Sequence, residues 1–276
     1  MGRIRRGRSE RPLLGRLTEE YLEEVRRHLT TRDYEILKLL AHYPVMNSEH
    51  LRILCPGTEK LPPFYTLAKG QQRLNDRLRV LFDYHLIHKE SPILGPGEGS
   101  SKQYCWLDRG GIRLLGLNQD HRNTLPAHYL HSSLILDLIS QFHLLARNKT
   151  IQLLYLQFEE HQQTWRLIPD LTVLYRQGDR GFLYFIEVDR SEKKERDELE
   201  KIRSYRQWQT SALWVKEAWA AHLPKKVFPV LLYVFEERKS YKRRQTLFLN
   251  TAKEEGLSMK AYTLSEFKSS LTTRPV

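Results

Sequence analysis

The stretch RLIPDLTVLYRQGDRGFLYFIEVDR, residues 166–190, decides the fold of the second half of the chain. It contains two apolar runs, rich in β-branched and aromatic residues, that are typical of buried strands, and the polar segment RQGDRG between them indicates a hairpin turn. A Pro-Asp pair, with Asp170, opens the first run, while Glu187 and Asp189 close the second. Residues two apart on a strand point to one face of the sheet, so the sequence predicts carboxylates gathered at strand ends.

Carboxylates from the ends of separate strands can converge on one cation. Hard divalent ions such as Mg²⁺ or Mn²⁺ prefer oxygen ligands, and in a nuclease such an ion polarises the scissile phosphate and lowers the pKa of the attacking water. Asp170, Glu187 and Asp189 are therefore candidate metal ligands and candidate catalytic residues. The alternative is a structural role, in which Asp170 is a strand-end or turn residue and Glu187 and Asp189 form an ion pair with Arg190 or Lys201.

The composition favours a nucleic-acid partner. The chain has 276 residues, enough for two domains, and its 45 Lys and Arg against 33 Asp and Glu give a net charge of +12. Two cysteines are too few for a disulfide framework and favour a reducing, cytoplasmic location. The longest apolar run, FPVLLYVF at residues 228–235, is too short to span a bilayer, so no membrane partner is expected.

The first half of the chain has the pattern of a winged helix-turn-helix domain. Residues 1–30 form an Arg-rich arm and a short helix, and residues 31–117 contain three helical segments followed by a strand, a Gly/Pro/Ser turn and a second strand. The third helix, from about residue 66, has an apolar stripe and a polar face suited to phosphates and base edges of duplex DNA. Its candidate DNA-binding residues, with one on the wing, are Lys69, Gln72, Arg73, Asn75, Arg77, Arg79 and Lys102.

A polar linker at residues 118–128 precedes an α/β domain at residues 129–276. The predicted order is a helix, three strands, a charged helix, a buried strand, a helix and a strand-like tail, so the whole chain is expected to be an α+β protein. This order, with Pro-Asp on one strand and two acids on the next, resembles the PD-(D/E)xK nuclease-like fold. Asp189 stands where that pattern has lysine, and Lys201, with Tyr205 on the same helical face, is the candidate substitute and a further candidate catalytic residue.

Over residues 30–250 the chain resembles the replication-relaxation family of plasmids and mobile elements. The resemblance rests on the N-terminal winged-helix pattern and on several short motifs in the rest of the chain. These are the segment from Tyr104 to Gly111, His131 at a helix start, Ile168-Pro169-Asp170, the Phe185–Arg190 string and Lys201 with Tyr205. The resemblance implies a DNA-binding accessory protein acting in replication, relaxation or mobilisation. Its partners would be double-stranded DNA and a replication, relaxase or recombinase protein. The alternative is a metal-dependent DNA endonuclease, a nickase, that uses Asp170, Glu187 and Asp189. No nucleotide-binding loop of the GxxxxGK[ST] type is present, and the sequence assigns no oligomeric state.

Overall fold

A computed structural model gives two compact units, residues 1–136 and 137–276. The expected basic arm, residues 1–16, and the expected hairpin tip, residues 93–101, lie outside the described residues. Within the described ranges no helix is long and apolar enough to cross a membrane. The structure describes residues 17–57, 62–92, 102–118, 124–190, 194–223, 225–237 and 241–272.

The first unit combines short helices with a small antiparallel sheet. Its strands lie in the order β1-β3-β2, and β2 pairs with β3 from Ile87 opposite Leu107 to Glu90 opposite Tyr104. The strand β1 has only 2 residues, and the sequence pattern did not predict it. In chain order the elements are α1 (Glu19–His28), α2 (Thr31–His42), β1 (Met46–Asn47), α3 (Ser48–Leu54), α4 (Gly70–Asp83), β2 (Ile87–Glu90), β3 (Tyr104–Leu107) and α5 (Arg109–Leu114).

Helix α4 is held in the first unit by its apolar face. Leu74, Leu78 and Leu81 recur at helical spacing and are fully buried. The helix begins at Gly70, where a Cβ atom would lie only 1.8 Å from the carbonyl oxygen of Phe64. Glycine is therefore required for the turn at Phe64–Thr66 to approach the start of α4 this closely.

The second unit is built on a five-stranded mixed sheet. The strand order is β4-β5-β6-β7-β8, in which β4, β5 and β6 are antiparallel neighbours and β6, β7 and β8 are parallel neighbours. Helix α6 contains the boundary between the two units. The elements are α6 (Tyr129–Arg147), β4 (Gln152–Phe158), β5 (Leu171–Gln177), β6 (Arg180–Asp189), α7 (Glu195–Ser211), β7 (Val230–Phe235), α8 (Tyr241–Glu254), β8 (Met259–Thr263) and α9 (Leu264–Thr272).

The β5–β6 hairpin brings the acids of the opening stretch together. Its register runs from Gln177 opposite Arg180 at the turn to Leu171 opposite Ile186. Strand β5 begins at Leu171, later than the sequence pattern indicated, so Asp170 lies just outside the ladder and beside the β6 residue that follows Ile186. That residue is Glu187. The antiparallel register is thus the physical reason why two acids 17 positions apart in the chain become neighbours.

The face of β6 that carries Glu187 is covered by α7. Phe185, two residues before Glu187, lies with its ring 5.5 Å from Tyr205 and 5.4 Å from Trp208, and all three residues are fully buried. On the other face, Phe142 of α6 contacts Tyr175 and Phe267. The acids therefore lie at the edge of a large aromatic core, where water has little access.

Candidate functional site

Asp170 and Glu187 form the centre of the candidate site in the second unit. Asp170 is 6% exposed and Glu187 is 2% exposed. The Asp170 Oδ2 atom accepts a hydrogen bond from the backbone N–H of Val188 at 2.7 Å. This bond fixes the Asp170 carboxylate against the last residues of β6, because a buried carboxylate is retained where donors satisfy it.

Two side chains of α7 bind the Glu187 carboxylate. The Lys201 ammonium donates to Oε2 at 2.5 Å, and the Tyr205 hydroxyl donates to Oε1 at 2.5 Å. Lys201 and Tyr205 are four residues apart, so they lie on successive turns of one helical face. The Lys201 Nζ atom also lies 3.4 Å from the carbonyl oxygen of Ile168, one residue before the Pro-Asp pair.

The segment before β5 is tied to the same helix. Trp165 donates its indole N–H to the Ser204 hydroxyl at 2.9 Å, and Trp208 donates to the Thr164 hydroxyl at 3.0 Å. Buried indole N–H groups need such partners. These two bonds hold residues 164–168 along α7 and thereby place the Ile168 carbonyl beside Lys201.

Burial sets the protonation of the cluster. Burial raises the pKa of Glu187 to about 7, the charge of Lys201 opposes that rise, and the charge of Asp170 adds to it. For Lys201, burial alone would lower the pKa, but the charges of Glu187 and Asp170 outweigh it and the pKa lies above its ordinary value. Lys201 therefore keeps its proton at neutral pH and supplies a fixed positive charge rather than a general base.

Asp189 belongs to a different ion pair. Its Oδ2 atom accepts from Arg244 Nε at 2.7 Å, and both side chains are 5% exposed or less. The Arg244 guanidinium also lies 5.1 Å from the centre of the Phe248 ring, one turn along α8. Within the described ranges no group of three His, Cys, Asp or Glu residues could hold a metal ion. The three-acid cluster expected from the sequence is therefore not formed, because Arg244 draws the Asp189 carboxylate toward α8.

Arg244 was not anticipated from the sequence, although a signal was present. It lies in the basic run Lys242–Arg244 and precedes Phe248 by four residues, so it shares a helical face with a buried aromatic. The neighbouring Arg190, which the sequence offered as a partner for the acids, instead donates to Glu236 at 3.2 Å.

The nuclease-like pattern implies a divalent cation, and these residues do not fit one as they stand. A metal would need carboxylate oxygens of Asp170, Glu187 and Asp189. Both Glu187 oxygens are bound by Lys201 and Tyr205, and Asp189 accepts from Arg244. A divalent cation could enter only by displacing the Lys201 ammonium, which lies against the oxygens that the metal would need.

In the first unit, α4 carries an exposed polar face. Five of the candidate DNA-binding residues on or next to this helix are exposed, and Lys102, two residues before β3, is exposed as well. Arg79 is 76% exposed, with its Nε atom 4.0 Å from Asp83, and Asn75 accepts a hydrogen bond from Gln71 at 3.0 Å. We refer to the exposed set on α4 as the basic face; its members are Lys69, Gln72, Arg73, Asn75 and Arg79.

Arg77 is placed differently from the other candidates on α4. Its guanidinium donates to both carboxylate oxygens of Asp33, at 2.8 Å and 2.5 Å, and Asp33 is fully buried. Asp33 also closes the capping box of α2 by accepting from the Thr30 backbone at 2.7 Å. The sequence predicted that Arg77 binds DNA, but in the structure its guanidinium is paired with Asp33. A buried carboxylate needs a paired cation, and Arg77 supplies it.

Comparisons with known proteins give one weak structural likeness. No protein-family model and no curated protein matches the chain. A solved structure of the restriction endonuclease FokI bound to DNA is similar at 11% identity and a TM-score of 0.33, over 94% of this chain and 46% of that one. The chain thus spans under half the length of that structure, and a likeness at this TM-score supplies no argument about activity.

Proposed function

We propose that the chain is a DNA-binding accessory protein in replication, relaxation or mobilisation of a plasmid or mobile element. In this proposal the first unit is a winged helix-turn-helix domain that binds duplex DNA, and the second unit is a nuclease-like domain whose acids serve the structure. A replication, relaxase or recombinase protein would be the second partner. The observation that carries the proposal is the basic face of α4, which is exposed while the charged residues of the second-unit cluster are buried in pairs.

The arrangement of the first unit supports the winged-helix assignment. Helices α2, α3 and α4 are followed by the antiparallel pair β2 and β3, and β1 adds the third strand next to β3. In domains of this type the last helix before the hairpin enters the major groove, and the hairpin contacts the backbone. Helix α4 has the matching features, an apolar face that anchors it and an outer face of Arg, Lys, Gln and Asn.

Fluorescence anisotropy with labelled duplex DNA at several salt concentrations tests the proposal. We expect binding that weakens steeply as salt rises, because phosphate contacts release counterions. Arg73→Ala should weaken binding by about 1–3 kcal/mol if Arg73 reads a base edge. Arg196→Ala is the matched control, since it removes the same charge from an 84% exposed position in the second unit. Equal affinity losses in the two variants would remove the basic face from the interface.

The second candidate function is a metal-dependent nickase. The observation in its favour is that Asp170, Glu187 and a lysine, Lys201, meet at one strand end. The test is incubation of the full chain with supercoiled plasmid and Mg²⁺ or Mn²⁺, beside the Glu187→Ala and Lys201→Ala variants. We expect no cleavage by the wild-type chain. Metal-dependent nicking that both variants lose, while they still bind DNA, would establish the nickase instead.

A further inference from the structure

We propose that the Lys201 ammonium occupies the position that a divalent cation would take beside the neighbouring carboxylates of Asp170 and Glu187. The wild-type chain then binds no Mg²⁺ or Mn²⁺ at this cluster, and removal of the Lys201 charge creates a divalent-cation site there. This inference goes beyond the proposed function, which concerns DNA binding by the first unit.

The surroundings of the Lys201 ammonium are those of a bound cation. The Nζ atom lies 2.5 Å from Glu187 Oε2 and 3.4 Å from the main-chain carbonyl oxygen of Ile168. Carboxylate and main-chain carbonyl oxygens are also the ligands that Mg²⁺ and Mn²⁺ take in proteins. The position of Nζ is therefore a cation position defined by oxygen atoms from the end of β6 and from the segment before β5, and a side chain fills it.

The charge balance explains why a cation is needed. Asp170 and Glu187 are both buried, and each raises the cost of ionising the other. Lys201 is 19% exposed and brings the compensating positive charge. Without it, the two carboxylates would share one poorly solvated site, in which the neutral Tyr205 hydroxyl and Val188 N–H donate to them. Such a site attracts a divalent ion, because the ion neutralises both charges at once.

Lys201 also competes for the cation position better than a dissolved ion does, because it is tethered next to the acids. It is fixed on α7, whose neighbouring Tyr205 and Trp208 are fully buried, so its ammonium is always near the acids. A tethered group of this kind acts at a high effective concentration, against which a millimolar ion competes poorly. Asp189 cannot supply a third acidic ligand that would favour the metal, because Arg244 holds it.

The experiment compares Mn²⁺ binding by the full wild-type chain and by Lys201→Met, which keeps an unbranched side chain, one atom shorter, and removes its charge. Binding is followed by Mn²⁺ electron paramagnetic resonance and by the melting temperature of the chain with and without the ion. Arg203→Met is the matched control, since it removes a positive charge from α7 at a 53% exposed position. The double variant Lys201→Met/Glu187→Gln tests whether any new site uses the Glu187 carboxylate.

We expect Lys201→Met to bind one Mn²⁺ per chain and to gain about 5 °C in melting temperature at saturating ion. Wild type, Arg203→Met and the double variant should show neither effect. If Lys201→Met does not fold without metal, we expect millimolar Mn²⁺ to restore its fold. Stoichiometric Mn²⁺ binding by wild type that Glu187→Gln removes would overturn the proposal. Failure of Mn²⁺ to bind Lys201→Met or restore its fold would overturn it as well. DNA binding by the first unit is measured separately and is unaffected by either result.

Discussion

The basic face of α4 and the acids at the end of β6, Glu187 and Asp189 with the adjacent Asp170, both carry charge. They differ in whether the opposite charge comes from inside the protein. Side chains of the basic face lie in solvent, with weak local partners such as Asp83, 4.0 Å from Arg79. Glu187 and Asp189 are buried and bound at 2.5–2.7 Å by Lys201 and Arg244. The comparison teaches that charge alone does not locate a functional site. Charge that is not neutralised inside the protein is available to a partner, and charge that is neutralised inside it is already bound within the fold.

Arg77 shows that the distinction holds within a single helix. It lies four residues after Arg73 on α4, yet it binds the fully buried Asp33. Its guanidinium therefore fixes α4 against the start of α2, while Arg73 remains exposed. We infer that Arg77 positions the basic face without belonging to it.

The largest effect is expected at Arg244. Arg244→Met leaves the Asp189 carboxylate buried without its cation, so we predict a loss of about 3–5 kcal/mol in the free energy of unfolding, measured with urea. Arg243→Met is the matched control, because Arg243 is 71% exposed and pairs with Glu195 at the surface. It should cost less than about 1 kcal/mol. Similar losses of unfolding free energy in both variants would mean that Arg244 does not neutralise Asp189. The contrast between the buried acids and the exposed basic face would then not hold.

A pH effect of nearly the same size is expected at Glu187. Its pKa is about 7 in the folded chain against an ordinary value of 4.5, so the folded state holds this proton longer. The stabilisation is therefore complete below about pH 4.5 and is lost as the pH rises through 7, with a total loss of up to about 3 kcal/mol.

Urea unfolding of wild type and Glu187→Gln, from about pH 5 to pH 8, measures this loss. We expect the wild-type free energy of unfolding to fall with pH and the Gln variant to show a flatter profile. Parallel profiles would show that Glu187 ionises normally and that burial does not control its charge.

Arg77→Ala should have a smaller effect on stability and little direct effect on DNA. We predict a loss of about 2 kcal/mol in the free energy of unfolding, because Asp33 loses a cation that is itself 28% exposed. Arg73→Ala should change stability by less than about 0.5 kcal/mol. Below its melting temperature Arg77→Ala should keep most of the wild-type DNA affinity. A loss of DNA affinity equal to that of Arg73→Ala would place Arg77 in the DNA interface. Pairing inside the protein would then not separate it from the basic face.

The smallest effect is expected at Lys102, the exposed residue before β3. If it contacts a phosphate, Lys102→Ala should weaken DNA binding by less than about 1 kcal/mol and reduce the salt dependence by about one counterion. Lys242→Ala, at an exposed position in the second unit, is the control. Indistinguishable salt slopes for the two variants would confine the interface to α4.

Local pattern was sufficient to predict the β5–β6 hairpin and the meeting of two acids. Two apolar runs joined by a polar turn set the register, and the register places Asp170 beside Glu187. The spacing of Lys201 and Tyr205 by four residues predicts a common helical face, and in the structure both contact Glu187. Such features depend only on the periods of strands and helices.

The long-range ion pairs could not be predicted in the same way. Asp189 and Arg244 are 55 residues apart, and Arg77 and Asp33 are 44 residues apart. Nothing local distinguishes an arginine that turns toward a buried carboxylate from one that faces water. The strand-like tail SMKAYTL, residues 258–264, corresponds to β8. Helix α9 after it was not predicted, although Leu264, Phe267 and Leu271 have helical spacing.

The most direct test of the account is the salt dependence of duplex DNA binding by two variants of equal net charge. One is Arg73→Ala/Arg79→Ala on the basic face, and the other is Arg196→Ala/Arg243→Ala on exposed positions of the second unit. We predict that the first lowers the slope of log affinity against log salt by up to about 1.8, which is about 0.9 for each arginine that contacts a phosphate, while the second leaves it near the wild-type value. Equal reductions in both slopes, or a wild-type affinity that does not change with salt, would contradict it.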